Sequence, residues 1–144
     1  MNFFIRDYRS CRSNLVIRPC TADDYDNVCK LLSENGVIPP KEMSDLAGIC
    51  LVAEKDKEIQ GCIWALTGQS TQAYVGYFAT NYRTDSLKAN RVGMELVKHL
   101  ETVLRLYGIK RYFFGTVNKE FKEMAIKYGA VEAYKNPYIL WKEV

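Results

Sequence analysis

The chain is short of the residues that usually announce a chemistry. Among 144 residues there is one histidine, His99. The five cysteines are Cys11, Cys20, Cys29, Cys50 and Cys62, and no two stand in C-x-x-C spacing. A zinc site needs about four nitrogen or sulfur ligands at clustered spacing, so the sequence argues against a metal. A Cys–His nucleophilic pair would have to use His99. That residue falls on the apolar stripe of a long helical pattern, where a partly buried structural histidine is the stronger reading. Cys29, Cys50 and Cys62 lie within apolar runs and read as small buried hydrophobes.

No apolar run approaches the roughly 20 residues that span a bilayer. The opening MNFFI is too short for the apolar core of a signal peptide, and Asp7 follows it closely. The expectation is a cytoplasmic protein with no membrane partner. Low-complexity tracts and internal repeats are absent. A net charge of +3 is too mild to argue for nucleic acid, which calls for a clustered basic face. Arg6, Arg9 and Arg12 are locally basic and fit a solvated arm or a pairing extension. What is present is an ordinary globular composition, 48% hydrophobic and 26% charged, at a length that suggests one domain. Residues 1–13 read as an extension and 14–144 as the domain.

Residues 14–20 (NLVIRPC) predict a strand, and Thr21-Ala-Asp-Asp24 resembles a capping box opening a helix. Tyr25, Val28, Cys29 and Leu32 recur at helical spacing, and Gly36 ends that helix. Pro39 and Pro40 interrupt the pattern, and residues 41–47 predict a short second helix on a rim that faces substrate. Residues 48–54 and 59–66 predict a hairpin across the charged turn Lys55-Asp56-Lys57-Glu58. A third strand covers 72–80, a fourth 110–117, a helix 119–128, and closing strands 131–134 and 138–142. Three consecutive strands before a helix argue for a mixed sheet in an α/β (α+β) chain. Trp64 and Trp141 fall in strands, as core or sheet-surface residues.

The chain is organised around residues 74–108: an aromatic strand, a polar loop and a long helix. Val92, Leu96, Leu100, Val103 and Tyr107 form the helix stripe, and Gly108 stops it. A strand feeding a helix this way leaves backbone N–H groups free at the positive end of the helix dipole, a ready anion site.

This order of elements, with that junction at its centre, resembles the GCN5-related N-acetyltransferase (GNAT) family over about residues 14–144. The family carries R/Q-x-x-G-x-G/A between its fourth strand and third helix. The matching segment is Lys88-Ala-Asn-Arg-Val-Gly93, which keeps Gly93 and has Arg91 where the first glycine is expected. A second alignment starts at Arg83 and runs to Lys88, five residues earlier, without either glycine. A later segment, Asn118 to Ala130, is similar to the family's N-x-x-A-x-x-x-Y-x-x-x-G-F. Asn118 and Gly129 match, while Ala125 stands where many members have the tyrosine that protonates the departing thiolate, and Ala130 replaces the aromatic.

The resemblance implies a mostly antiparallel central sheet flanked by helices, splayed between the family's fourth and fifth strands to admit acetyl-CoA. It implies transfer of an acetyl group to an amine of a small molecule or protein, by direct attack in a ternary complex. Its implied cofactor-binding residues are Phe78, Ala79 and Thr80 along the strand, Lys88, Ala89, Asn90, Arg91, Val92, Gly93 and Met94 at the helix, and Asn118. Gly76 would mark the bulge that opens the strand. No side chain stands out as the base; a water chain, Tyr74 or Tyr77 would serve. Tyr128, three residues past Ala125, is the acid nominated, with Tyr112 and Tyr134 as weaker choices. A homodimer through the closing strands stays open, as does a non-catalytic module that binds CoA or a partner protein.

Overall fold

The computed structural model describes residues 6–7, 14–81, 86–116, 119–135 and 138–144. Arg9, Arg12, Cys11, Arg83 and Asn118 lie outside the described residues, as does the side chain of Tyr134.

The strands are β1 (Arg6–Asp7), β2 (Val16–Pro19), β3 (Ile49–Lys55), β4 (Glu58–Thr67), β5 (Gln72–Thr80), β6 (Arg111–Thr116), β7 (Val131–Lys135) and β8 (Tyr138–Glu143). The helices are α1 (Tyr25–Glu34), α2 (Ser86–Leu106) and α3 (Lys119–Lys127). One eight-stranded sheet runs β1-β2-β3-β4-β5-β6-β8-β7. Every pairing is antiparallel except β5 with β6. Arg6 and Asp7 pair with Ile17 and Val16, so part of the basic arm extends the sheet.

The two faces of the sheet hold separate cores. Ile17, Leu51, Ile63 and Val75 pack against Leu96, Leu100, Val103 and Leu104 of α2. Val52, Cys62, Trp64 and Ala79 pack against Val28, Leu31 and Leu32 of α1 on the other face. Both faces of β3 are therefore covered, which is why its middle reads as an unbroken apolar run. At Gly61 a β-carbon would meet Leu96 Cδ1 at 2.9 Å and Val92 Cγ1 at 3.0 Å, so α2 lies close on β4. The β3–β4 hairpin turns through Asp56 and Lys57, both at positive φ (51° and 66°), as a two-residue turn whose twist matches the strands requires.

The expected capping box at Thr21 and Asp24 forms, and its 3₁₀ turn, Ala22–Asp24, runs directly into α1. One expected helix is shorter than the sequence suggested. Residues 41–47 make only the 3₁₀ turn Met43–Leu46, following the two prolines. Gly36, Gly108 and Gly129 end the three helices at φ of 72°, 77° and 100°.

Candidate functional site

The site begins with a break in alternation on β5. Ala73 and Val75 face α2. Opposite β4, Cys62 pairs with Ala79 and Trp64 with Gly76, so β5 spends one residue more than β4 over this stretch. The extra residue falls at Tyr77–Phe78, beside Gly76 rather than on it. Tyr77 takes φ +43°, a conformation that costs a non-glycine residue about 1–2 kcal/mol. The bulge shifts the pleat by one. Tyr77 stays on the α1 face, edge-on to Trp64 with centroids 5.2 Å apart. Phe78 and Thr80 turn instead toward α2, where they meet Gly93.

Beyond the bulge β5 also parts from its other neighbour. The β5–β6 register covers Gln72–Arg111, Ala73–Tyr112 and Tyr74–Phe113. β5 then continues to Thr80, and β6 continues to Thr116 paired with β8. The two strands diverge from a common origin at Tyr74 and Phe113, which is the splay that the resemblance implies. The backbone of Val75–Thr80 thus has no ladder partner on the β6 side. One group at the end of that edge is taken: the Thr80 carbonyl accepts from Asn35 Nδ2 at 3.0 Å, tying the end of α1 to the tip of β5.

Three rings bridge the opening. Phe121 of α3 lies 6.0 Å from Phe78 on β5 and 6.1 Å from Phe114 on β6. Phe78 carries the sequence expectation for this strand, whereas the signal for Phe114 is only its place in the aromatic run KRYFFG.

Helix α2 starts at Ser86, seven residues before Gly93. In any α-helix only the first-turn N–H groups lack an intrahelical acceptor. For α2 as described, Ser86–Leu106, the first-turn amides among the described residues are those of Ser86, Leu87 and Lys88. Asn90, Arg91, Val92, Gly93 and Met94 lie within the helix, where their amides serve its own ladder, so any ligand contact there falls to side chains. Lys88 and Arg91 are exposed and three residues apart on one helix face, and the first turn holds no acidic residue. Ala89 is buried. Gly93 packs: a β-carbon there would lie 3.3 Å from Phe78 Cζ and 3.5 Å from Thr80 Cγ2.

The nominated tyrosines are dispersed. Tyr128 follows the last turn of α3, 56% exposed. It lies two helical turns past Phe121, about 10 Å along the axis and toward the closed end of the splay. Tyr74 is half-exposed on the Trp64 side, with centroids 6.5 Å apart. Tyr112 is buried and donates from its hydroxyl to Glu101 Oε2 at 2.7 Å. Burial, with the Glu101 carboxylate beside it, pushes the Tyr112 phenol well above its ordinary value. Lys142 completes that network by pairing with the same Glu101 oxygen. His99 is buried, its Nδ1 3.1 Å from the Glu95 carbonyl.

Among the described residues no three His, Cys, Asp or Glu side chains converge to hold a metal, and no helix is long and apolar enough to cross a membrane.

No protein-family model matches the chain, and no curated protein matches its sequence. Solved structures match its fold. N-acetylglutamate synthase from Neisseria gonorrhoeae, in complex with coenzyme A and N-acetyl-glutamate, aligns at TM-score 0.74 and 19% identity over 90% of this chain and 35% of that one. The present chain thus spans about a third of the synthase. PaiA N-acetyltransferase from Thermoplasma acidophilum, in complex with coenzyme A, aligns at TM-score 0.73 and 15% identity, covering 90% and 99%. The ribosomal-protein-S18-alanine N-acetyltransferase from Escherichia coli aligns at TM-score 0.76 and 12% identity, covering 90% and 94%. The chain has the fold of the GNAT acetyltransferases: a mostly antiparallel mixed sheet with one parallel, diverging pair and helices on both faces.

Proposed function

We propose that the chain is an N-acetyltransferase of the GNAT superfamily that uses acetyl-CoA to acetylate an amine of a small molecule or protein. The observation that carries this reading is the divergence of β5 from β6 beyond Tyr74 and Phe113, with the bulge at Tyr77–Phe78 facing it and the start of α2 nearby. That combination offers an extended edge of unpaired backbone leading to an anion-binding helix start. Neighbours of the same fold bind coenzyme A.

The residues present fit such a group. The first-turn amides of α2 and the exposed Lys88 and Arg91 would hold a diphosphate, with charge-assisted bonds stronger than neutral ones. Arg91 stands where relatives carry glycine, so its side chain contributes from the helix surface instead of opening a close approach. The backbone of Phe78 and Thr80 would pair with an extended amide chain, as another strand would. Bound acetyl-CoA supplies an acyl group already activated as a thioester. The chain's task is then to orient it, polarise its carbonyl with a backbone N–H near the bulge, and admit a neutral amine. Tyr128 is proposed as the proton donor to the departing thiolate, and Tyr77 as the residue steering the amine. Ala125 offers no proton at the position where relatives carry tyrosine.

The test is release of free thiol from acetyl-CoA in the presence of an amine panel, with acetylated product identified by mass. Product with at least one amine supports the reading. No product from any amine, with binding of coenzyme A intact, would leave a cofactor-binding module. That second reading is favoured by Ala125 and by the bridging of the opening by Phe121.

A further inference from the structure

Where β2 ends and β3 begins, two thiols face each other. The β2–β3 register ends with Pro19 opposite Leu51. The next residues are Cys20 and Cys50, and the Cys20 N–H donates to the Cys50 carbonyl at 2.8 Å. Directly opposed residues of antiparallel strands have Cα atoms about 4.5–5.5 Å apart. A disulfide needs a Cα separation of about 4.4–6.8 Å. Both side chains project to the α1 face and pack against the same core cluster. Both are partly exposed. They also line one cavity of about 150 Å³ with Met43, Leu46, Gly48 and Tyr107, which has room for a small thiol.

The chemistry of the two sulfurs is divided. The neighbouring Cys50 thiol draws Cys20 below the ordinary thiol value, and Cys20 in turn raises Cys50 above it, while the Cys20 thiol itself donates to the Thr21 carbonyl at 3.6 Å. Arg18 adds to the lowering at Cys20, against burial and the Asp24 carboxylate. The other described cysteines differ. Cys62 is buried, donates to the Tyr77 carbonyl at 3.4 Å, and is pushed up to about 12, mainly by burial. Cys29 sits on α1 away from the cavity lining.

We propose that Cys20 and Cys50 form a thiol–disulfide exchange site, at which Cys20 takes a mixed disulfide from a low-molecular-weight disulfide and Cys50 resolves it. The Cys20 thiolate attacks one sulfur of R–S–S–R. A Cys20–S–S–R bond forms, the R–S–S–R bond breaks, and the leaving thiolate takes the proton that Cys20 released. Cys50 then gives up its proton and attacks the Cys20 sulfur. The intramolecular disulfide forms, and the second small thiol leaves with that proton. Two protein thiols are oxidised and one small disulfide is reduced to two thiols. Reactivity at Cys20 follows from its thiolate character and access, and resolution follows from a partner already opposite it.

The test exposes reduced full-length protein to hydroxyethyl disulfide, alkylates the remaining thiols and maps the peptides. The expected result is a Cys20–Cys50 cross-link, reversed by dithiothreitol, with Cys29 and Cys62 alkylated. Both cysteines still free, or a cross-link to a different cysteine, would overturn the proposal. Cys50→Ser is expected to stop at a stable hydroxyethyl adduct on Cys20, and an unmodified Cys20 in that variant also counts against it. The wild-type mapping stands independently of how Cys50→Ser folds.

Discussion

Gly93 of α2 sits against the ring of Phe78 on β5, so close that an added β-carbon would lie 3.3 Å from Phe78 Cζ. This contact sets the distance between the start of the helix and the bulged strand. A side chain at position 93 has to push one away from the other. Gly93→Leu gains roughly 0.8 kcal/mol of helix propensity but overpacks the contact by about 1–3 kcal/mol. The expected outcome is a net loss of about 1–2 kcal/mol in urea unfolding, with weaker binding of coenzyme A. Unchanged stability and affinity would show that α2 and β5 do not need this spacing.

Phe121 closes the opening from α3 through two ring contacts, to Phe78 and to Phe114. Each such contact is worth about 0.5–1.5 kcal/mol beyond area. A ligand threading between β5 and β6 has to break both. Phe121→Ala removes that cost in advance and is expected to tighten coenzyme A binding by about tenfold, equivalent to about 1.4 kcal/mol. The same change lowers fold stability. Calorimetric titration measures the first effect. Tenfold weaker binding would instead make Phe121 a wall of the site.

Tyr128 is exposed, with its backbone N–H donating to the Met124 and Ala125 carbonyls, so its hydroxyl is dispensable for folding. If it supplies the proton to the leaving thiolate, Tyr128→Phe lowers kcat by about 10²-fold or more while the dissociation constant for coenzyme A stays put. Steady-state kinetics beside a binding titration separate the two. Full turnover in Tyr128→Phe passes the acid role to another group.

Tyr112 gives a stability signature at alkaline pH. Its folded pKa is raised above the ordinary 10.0, first by burial and then by Glu101. The folded state therefore keeps a proton that the unfolded chain gives up above pH 10. Stability from this group is fully present below pH 10 and is lost as pH rises beyond it, by up to about 1.4 kcal/mol per pH unit. Tyr112→Phe is expected to cost about 1–2 kcal/mol near neutrality by removing the hydrogen bond to Glu101, and to flatten the alkaline decline relative to wild type. Urea unfolding at a series of pH values checks both. Parallel wild-type and variant curves above pH 10 would contradict the assignment.

The order of elements was legible because helical and strand periodicities are strong here. The stripe Leu96, Leu100 and Val103 and the terminal Gly108 placed α2, and the run at Gly76 placed β5 to the residue. The bulge was expected at Gly76, since a glycine in a strand interior usually marks one. It falls instead at Tyr77, held at positive φ by the packing of its ring on Trp64, a tertiary contact that leaves no local signal. Residues 41–47 read as a helix but make one 3₁₀ turn, because composition does not reveal how few turns follow the two prolines. The motif alignment over residues 88–93 falls inside α2, whose described residues begin at Ser86, while the alternative alignment over 83–88 reaches that first turn. The bridging by Phe121 and the opposition of Cys20 to Cys50 both depend on register between distant segments, which composition does not encode.

Amide hydrogen exchange with and without coenzyme A locates the ligand on the backbone. Slower exchange is expected in two places at once: the free edge of β5 around Phe78 and Thr80, and the first turn of α2 at Leu87 and Lys88. Binding with protection confined to other segments, or no protection at saturating coenzyme A, would contradict the proposed site.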